Sequence, residues 1–219
     1  MKSKLRLGYL YLKLQQLRGS LNVSSEKIKR QFSRPTLPVD NKEINLHLGC
    51  GNIAHPKFIN IDGRPAPHIH YVRAIDNLAP FKDNSVDLIY ACHCLEHFSY
   101  NRVPLVISEW HRVLKDNGIL RISVPDFDLL IKIYNDCDQN LDSIIGLLMG
   151  GQDYQFNFHK AAFNEASLRR LLLNAGFNEV RSWQPGSTEL MTFNDWSGRL
   201  LGGKYPVSLN LEAIKNSSS

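Results

Sequence analysis

Two sets of side chains in this sequence have the types and spacing to do chemistry. The first follows an apolar run: Leu46-His47-Leu48-Gly49-Cys50-Gly51-Asn52. Paired glycines at such a place let the main chain turn tightly and approach a ligand with no side chain in the way. With Ala54 the stretch satisfies the relaxed dinucleotide pattern GxGxxA. Two features argue against NAD. Asp62 comes thirteen residues after Gly49, whereas the dinucleotide fingerprint places its acid about 20 residues on. Pro56 leaves barely a turn of helix whose N-terminus could cradle a pyrophosphate. A cofactor without phosphates needs no such dipole. Asp62, ending the next apolar run, can accept bonds from both hydroxyls of a ribose; the competing reading is a turn carboxylate before Gly63.

The second set is histidine. An imidazole titrates near neutral pH and is the usual side chain to take a proton from a hydroxyl. His93 follows a strong apolar run, His97 belongs to Leu95-Glu96-His97, and His159 closes the aromatic stretch Tyr154–Phe158. Each has a plainer alternative. Glu96-His97 can be a capping and hydrogen-bonding pair, and His159 a surface or structural histidine. His47 lies inside a buried run and reads as core. Asp126 either meets an acceptor or caps a helix, while Glu109 and Trp110 read as helix face and core. Cys92 and Cys94 flank His93 too closely for a zinc pair, and no second CxxC or HxxxH completes one, so spacing predicts no metal site.

Alternating elements must hold these residues. Residues 44–48, 58–61, 71–75, 86–91, 119–124, 177–183 and 207–214 read as strands, the third weakly. Helical periods cover 102–115, 126–135 and 140–149, and a further helix, capped by Asn164 or Ser167, runs to Ala175 and stops at Gly176. Gly118 suits the left-handed residue that ends a helix. The alternation predicts a mostly parallel sheet covered on both faces. If strand six runs parallel and strand seven returns antiparallel, residues 184–206 leave from the catalytic edge. Trp183, Asp195, Trp196 and Arg199 can then wall an acceptor site.

Of 219 residues, 43% are hydrophobic, enough for one ordinary domain plus an appended segment. The net charge of +5 is uneven: residues 1–40 carry nine Lys and Arg against Glu26 and Asp40, so the remaining 179 residues sum to −2. Residues 5–21 set Leu7, Leu10, Tyr11, Leu14, Leu17 and Leu21 on one helical stripe. We therefore expect a basic amphipathic extension and linker over 1–40 and a catalytic domain over 41–219. Residues 1–34 suit an anionic membrane surface, and equally packing on the same domain or on a second subunit in a homo-oligomer. Nucleic acid ranks lower, because the body is slightly acidic. Isolated thiols and the lack of an apolar stretch of roughly 20 residues point to the cytoplasm, with peripheral contact at the inner membrane surface as the variant.

The ordered set LHLGCG, FINIDGRP, APFKDNSVDLIYACHCLEHF and EWHRVLKDNGILRISVPD, with a later helix ending in Ala175-Gly176-Phe177, resembles the class I S-adenosylmethionine-dependent methyltransferases. It is nearest small bacterial members of the type-11-like group, and the resemblance spans about 44–183. It implies a doubly wound, seven-stranded, mostly parallel Rossmann-like sheet with S-adenosylmethionine as cofactor. It also implies that Gly49, Cys50 and Gly51 lie against the cofactor, that Asp62 holds its ribose, and that Asp76, with Asn77 as competitor, reads the adenine. Cys92 and His93 fall where the family lines the methyl-transfer site. Transfer from a sulfonium is an in-line displacement that needs alignment and exclusion of water. A hydroxyl acceptor adds the need for a base, for which His93, His97 and His159 are the candidates. The expected activity is methylation, at oxygen, of a small-molecule or saccharide- or lipid-linked acceptor. A non-catalytic S-adenosylmethionine-binding module and a nicotinamide-dependent oxidoreductase are the alternatives.

Overall fold

The structure is a computed structural model, and it describes residues 35–38, 43–187 and 194–216. The expected helix over 5–21 and most of the basic extension lie outside the described residues.

Seven strands form one sheet: β1 (Asn45–Leu48), β2 (Ile59–Asp62), β3 (Tyr71–Val72), β4 (Val86–Cys92), β5 (Leu114–Pro125), β6 (Glu179–Ser182) and β9 (Ser208–Lys215). Their spatial order is β3-β2-β1-β4-β5-β9-β6. β1 runs parallel to β2 and β4, with Leu48 opposite Ile61 and Ala91. β9 is antiparallel to both β5 and β6, so β6 runs parallel to β5. The chain reverses order at β1, and the crevice beyond its carboxyl end is where a doubly wound sheet binds ligands. Strands buried on both faces read as near-continuous apolar runs, and β1 is buried throughout.

The described residues include four α-helices, α1 (Val103–Val113), α2 (Phe127–Asp136), α3 (Ile145–Met149) and α4 (Glu165–Asn174). On α1 the spacing of Val103, Val106, Ile107, Trp110 and Val113 puts all five inside. Trp110 is fully buried, and its indole N–H donates to the Ile75 carbonyl at 2.8 Å. Glu109 is more than a helix face, since it accepts the Leu78 N–H at 2.6 Å and pairs with Arg112. Asn164 caps α4 through a reciprocal box with Ser167, and Gly176 ends it at φ +103°.

Several expectations change in detail. The third strand keeps only two residues, and Arg73, just past it, donates to Asn77 Oδ1. Residues 140–149 split into a 3₁₀ turn at Leu141–Ser143 and the short α3. Gly118 does not supply the left-handed residue; Asn117 does, at φ +61°. Glycine is needed at 118 for a different reason: a Cβ there would lie 2.7 Å from the Lys115 carbonyl oxygen. A small hairpin, β7 (Leu200–Leu201) with β8 (Tyr205–Pro206), interrupts the last connection. Its two-residue strands leave no period to detect.

The outer half of the sheet holds a charged ladder. Glu212 on β9 stands in register with Arg121 and Arg181. It accepts from Arg121 Nε at 2.5 Å and from Arg181 Nη2 at 2.6 Å. Among the described residues, no helix is long and apolar enough to cross a membrane.

Candidate active site

The turn after β1 is built by its glycines. Gly49 and Gly51 sit at φ +62° and +56°, a region that side chains other than glycine enter at a cost. Gly49 donates to the Ile61 carbonyl at 2.8 Å, which ties the turn to β2. A Cβ on Gly49 would meet Cys94 Cβ at 2.7 Å, whereas one on Gly51 would meet nothing within 4 Å. The first glycine thus closes the turn against the end of β4, and the second leaves bare main chain facing open space.

Asp62, at the end of β2, is nearly buried. Its Oδ2 accepts the Gly51 N–H at 2.9 Å and its Oδ1 the Arg64 N–H at 2.8 Å. Each oxygen keeps a further lone pair for hydroxyls. His68 Nε2 bonds the Gly51 carbonyl at 2.9 Å, so the turn is held from both sides. Next to Asp62, Phe156 packs on Gly63 and Tyr154 lies under the Arg64 guanidinium at 4.5 Å. The aromatic stretch before His159 therefore reaches the Asp62 end of the turn. Bare main chain beside a carboxylate with spare acceptor capacity fits a nucleoside cofactor.

Further along, Asp76 pairs with Arg102 at 3.1 Å. Asn77 Oδ1 is taken up by Arg73 and by the Ala79 N–H at 3.1 Å. Cys50 is buried and Cys92 half-buried; all four cysteines are free thiols.

His93, just past β4, has φ +48°, a backbone state costing roughly a kilocalorie or more per mole that only surrounding contacts can impose. Those contacts are explicit. Its main-chain N–H donates to the Ser123 carbonyl at 2.8 Å, its Nε2 meets Ser208 Oγ at 2.7 Å, and its ring stacks on Trp196 at 5.8 Å. Burial, then His159 and His97, push its pKa down to about 3, so the ring is neutral.

Glu96 is the hub of the histidine group, with 1% of its surface exposed. It caps nothing: both carboxyl oxygens lack a hydrogen-bond partner. His93 Nδ1 stands 3.5 Å and His159 Nε2 3.8 Å from its Oε1. His97 and His159 meet edge to face at 4.9 Å. Burial raises the Glu96 carboxyl to about 8 and, with His97, lowers His159 to about 4. His93, His97 and His159 are thus gathered at one edge, around a glutamate that sequence reasoning favoured as a cap. That pairing is visible only once residues on both sides of β5 meet.

The long connection does leave from the carboxyl edge. Tyr90 O–H donates to Asp195 Oδ2 at 2.5 Å, Asn210 Nδ2 donates to the Ser197 carbonyl at 2.9 Å, and Arg199 lies over the Trp196 ring at 4.3 Å. Asp195 and Trp196 are thereby fixed beside His93. Ser208, which receives His93, gave no signal in the sequence beyond opening the last strand. Asp126 caps α2, accepting the Asp128 N–H at 3.1 Å, and His47 is a buried core residue edge-on to Tyr90.

A methyltransferase-domain family matches residues 55–122. Over 187 residues the chain is 25% identical to the ubiquinone/menaquinone biosynthesis C-methyltransferase of Blochmanniella floridana, covering 82% of this chain and 70% of that protein. Its fold resembles that of a methyltransferase from Thermotoga maritima, with TM-score 0.54, 16% identity, and 80% and 84% of the two chains covered. It also resembles the Burkholderia thailandensis 1,6-didemethyltoxoflavin-N1-methyltransferase, which carries bound 1,6-didemethyltoxoflavin and S-adenosylhomocysteine: TM-score 0.53, 15% identity, 89% and 77% covered. With the glycine turn and Asp62 in place, these findings support a methyltransferase that uses S-adenosylmethionine, on the fold such enzymes share.

Proposed function

We propose that the enzyme methylates an oxygen of a small-molecule or saccharide- or lipid-linked acceptor held beside His93 and Trp196. The observation that carries this reading is the neutral His93 ring, fixed between Ser208, Trp196 and Glu96 at the end of β4. The cofactor supplies an electrophilic methyl on a sulfonium. A hydroxyl is a poor nucleophile until its proton has somewhere to go, whereas a neutral amine brings its own lone pair. Uncharged imidazoles beside the cofactor turn suit the first case.

In this reading Gly49, Cys50 and Gly51 offer main chain to the cofactor, Asp62 holds its ribose, Asp76 reads its adenine, and Cys92 lines its methionine end. Asn77 is assigned to its turn instead, since its Oδ1 is already used. His93, His97 and His159 are the candidates to take the acceptor proton, each a weaker base than a free imidazole because burial lowers its pKa. The Burkholderia thailandensis enzyme named above carries 1,6-didemethyltoxoflavin, a small molecule, which supports a small-molecule acceptor. Residues 41–219 then form the catalytic domain, and residues 1–40 a basic appendage that contacts anionic lipid through 1–34. Loss of vesicle binding on deleting 1–34 is the expected outcome, and an intact chain that ignores such vesicles contradicts that part.

Transfer of labelled methyl to panels of phenols, free sugars and lipid-linked sugars tests the acceptor. His93→Gln should lower kcat by about 10²–10⁴-fold while the affinity for S-adenosylmethionine holds. Unchanged kcat in that variant, or transfer to amines alone, contradicts the reading.

A further inference from the structure

We propose that Glu96, His97 and His159 bind a divalent transition-metal ion. The chain brings them together by main-chain bonds. Glu96 and His97 lie on a 3₁₀ turn, Leu95–His97, directly after β4. The Glu96 carbonyl accepts the N–H groups of Lys160 at 2.7 Å and Ala161 at 3.2 Å, which fastens the loop carrying His159 to that turn. One ligand atom from each of the three side chains then lies within 4.8 Å of the other two.

The tautomers can be read from the partners. His159 Nδ1 bonds the Leu147 carbonyl at 2.9 Å, and His97 Nδ1 the Phe158 carbonyl at 3.2 Å. A carbonyl only accepts, so each Nδ1 carries the proton and each Nε2 keeps its lone pair. This is the support a metal-binding imidazole usually has, its second nitrogen donating to a main-chain oxygen. On the other side of Glu96, Ser208 Oγ donates to the Trp196 carbonyl at 2.7 Å. It therefore accepts from His93 Nε2, and the His93 Nδ1 lone pair faces Glu96 at 3.5 Å.

His93 Nδ1 and His159 Nε2 thus face, and His97 adjoins, a buried carboxyl group with no hydrogen-bond partner. Burying such a group charged and unpaired costs several kilocalories per mole, so without a counter-charge it keeps its proton, which a bound cation would displace. A cation satisfies all of them together. Two neutral imidazoles with one carboxylate suit zinc, manganese, ferrous iron or cobalt, whereas magnesium and calcium prefer all-oxygen sets. An ion there would sit beside His93, where a coordinated hydroxyl gives up its proton more readily. That role rests on the acceptor reading above; the site itself does not.

Chelator-treated full-length enzyme, titrated with Zn²⁺, Mn²⁺ and Co²⁺ by calorimetry and by the visible spectrum of cobalt, tests it. The expected result is one bound ion, with imidazole–carboxylate cobalt bands. Affinity should fall by at least about 100-fold in Glu96→Gln and His159→Ala and hold in His111→Ala, whose ring packs on Phe177. Because His159→Ala can also loosen the loop, thermal melts accompany each titration. Metal should raise the Tm of the native chain and leave that of the near-isosteric Glu96→Gln unmoved. No binding of any of the three ions, or equal binding by native chain and Glu96→Gln, overturns the proposal. S-adenosylmethionine affinity of the metal-free enzyme is measured alongside, so a failure of the cofactor reading is seen separately.

Discussion

A methyl group placed on Gly49 would stand 2.7 Å from Cys94 Cβ. The turn after β1 and the segment after β4 are therefore in contact through one missing side chain. Gly49→Ala meets that clash and a left-handed backbone together, and should cost about 2–4 kcal/mol in stability. Gly51→Ala has the same backbone penalty with nothing within 4 Å of the added carbon. Its stability should fall by only about 1–2 kcal/mol, while cofactor affinity falls at least as much as for Gly49→Ala. Chemical denaturation and calorimetry on the two variants separate the effects; equal stability losses would contradict this division of labour.

Glu212 neutralises two arginines, one of them buried. Removing it takes away the carboxylate that Arg121 and Arg181 share, so Glu212→Ala should lose about 1.5–3 kcal/mol in denaturant unfolding. Burial works to raise the Glu212 pKa, but hydrogen bonds from Arg121 and Arg181 outweigh it and the net shift is downward. The stability it contributes is then present above its unfolded pKa and lost as pH falls through the folded value. A loss under 1 kcal/mol would show that solvent screens the ladder.

His47 adds to the same acid response from a buried base, whose folded form stays neutral. Burial foremost, then His55 and His68, lower its pKa from 6.5 to about 3. Between those values the unfolded chain binds a proton that the folded chain does not, so stability falls as pH drops below 6.5. The loss between pH 7 and pH 5 should be about 2 kcal/mol from this group. His47→Leu should flatten that part of the stability–pH curve; an unchanged slope would mean the folded ring takes up the proton.

Much of the fold is legible in the sequence because its central strands are buried on both faces. Val86–Cys92 and the second half of β5 appear as apolar runs, and the Gly49 turn follows the first of them. The site is legible in part. His93, His97 and His159 are visible as residue types, but their meeting point is not, because it depends on the loop before α4 folding back onto the turn after β4. Glu96 misleads for the same reason. A glutamate at the opening of a helical turn resembles a cap, and only the enclosing histidines show it to be buried. Gly118 shows a limit of one sequence: a glycine that avoids a carbonyl and one that adopts positive φ look alike in it.

Calorimetric titration of the intact chain with S-adenosylmethionine, S-adenosylhomocysteine and NAD, with Asp62→Ala beside it, is the most direct test of the cofactor site. Micromolar binding of the two sulfur ligands, at least about 10-fold weaker in the variant as two lost ribose hydrogen bonds would give, with none for NAD, is the predicted result. Binding of NAD, or sulfur-ligand affinity untouched by the loss of Asp62, would contradict it.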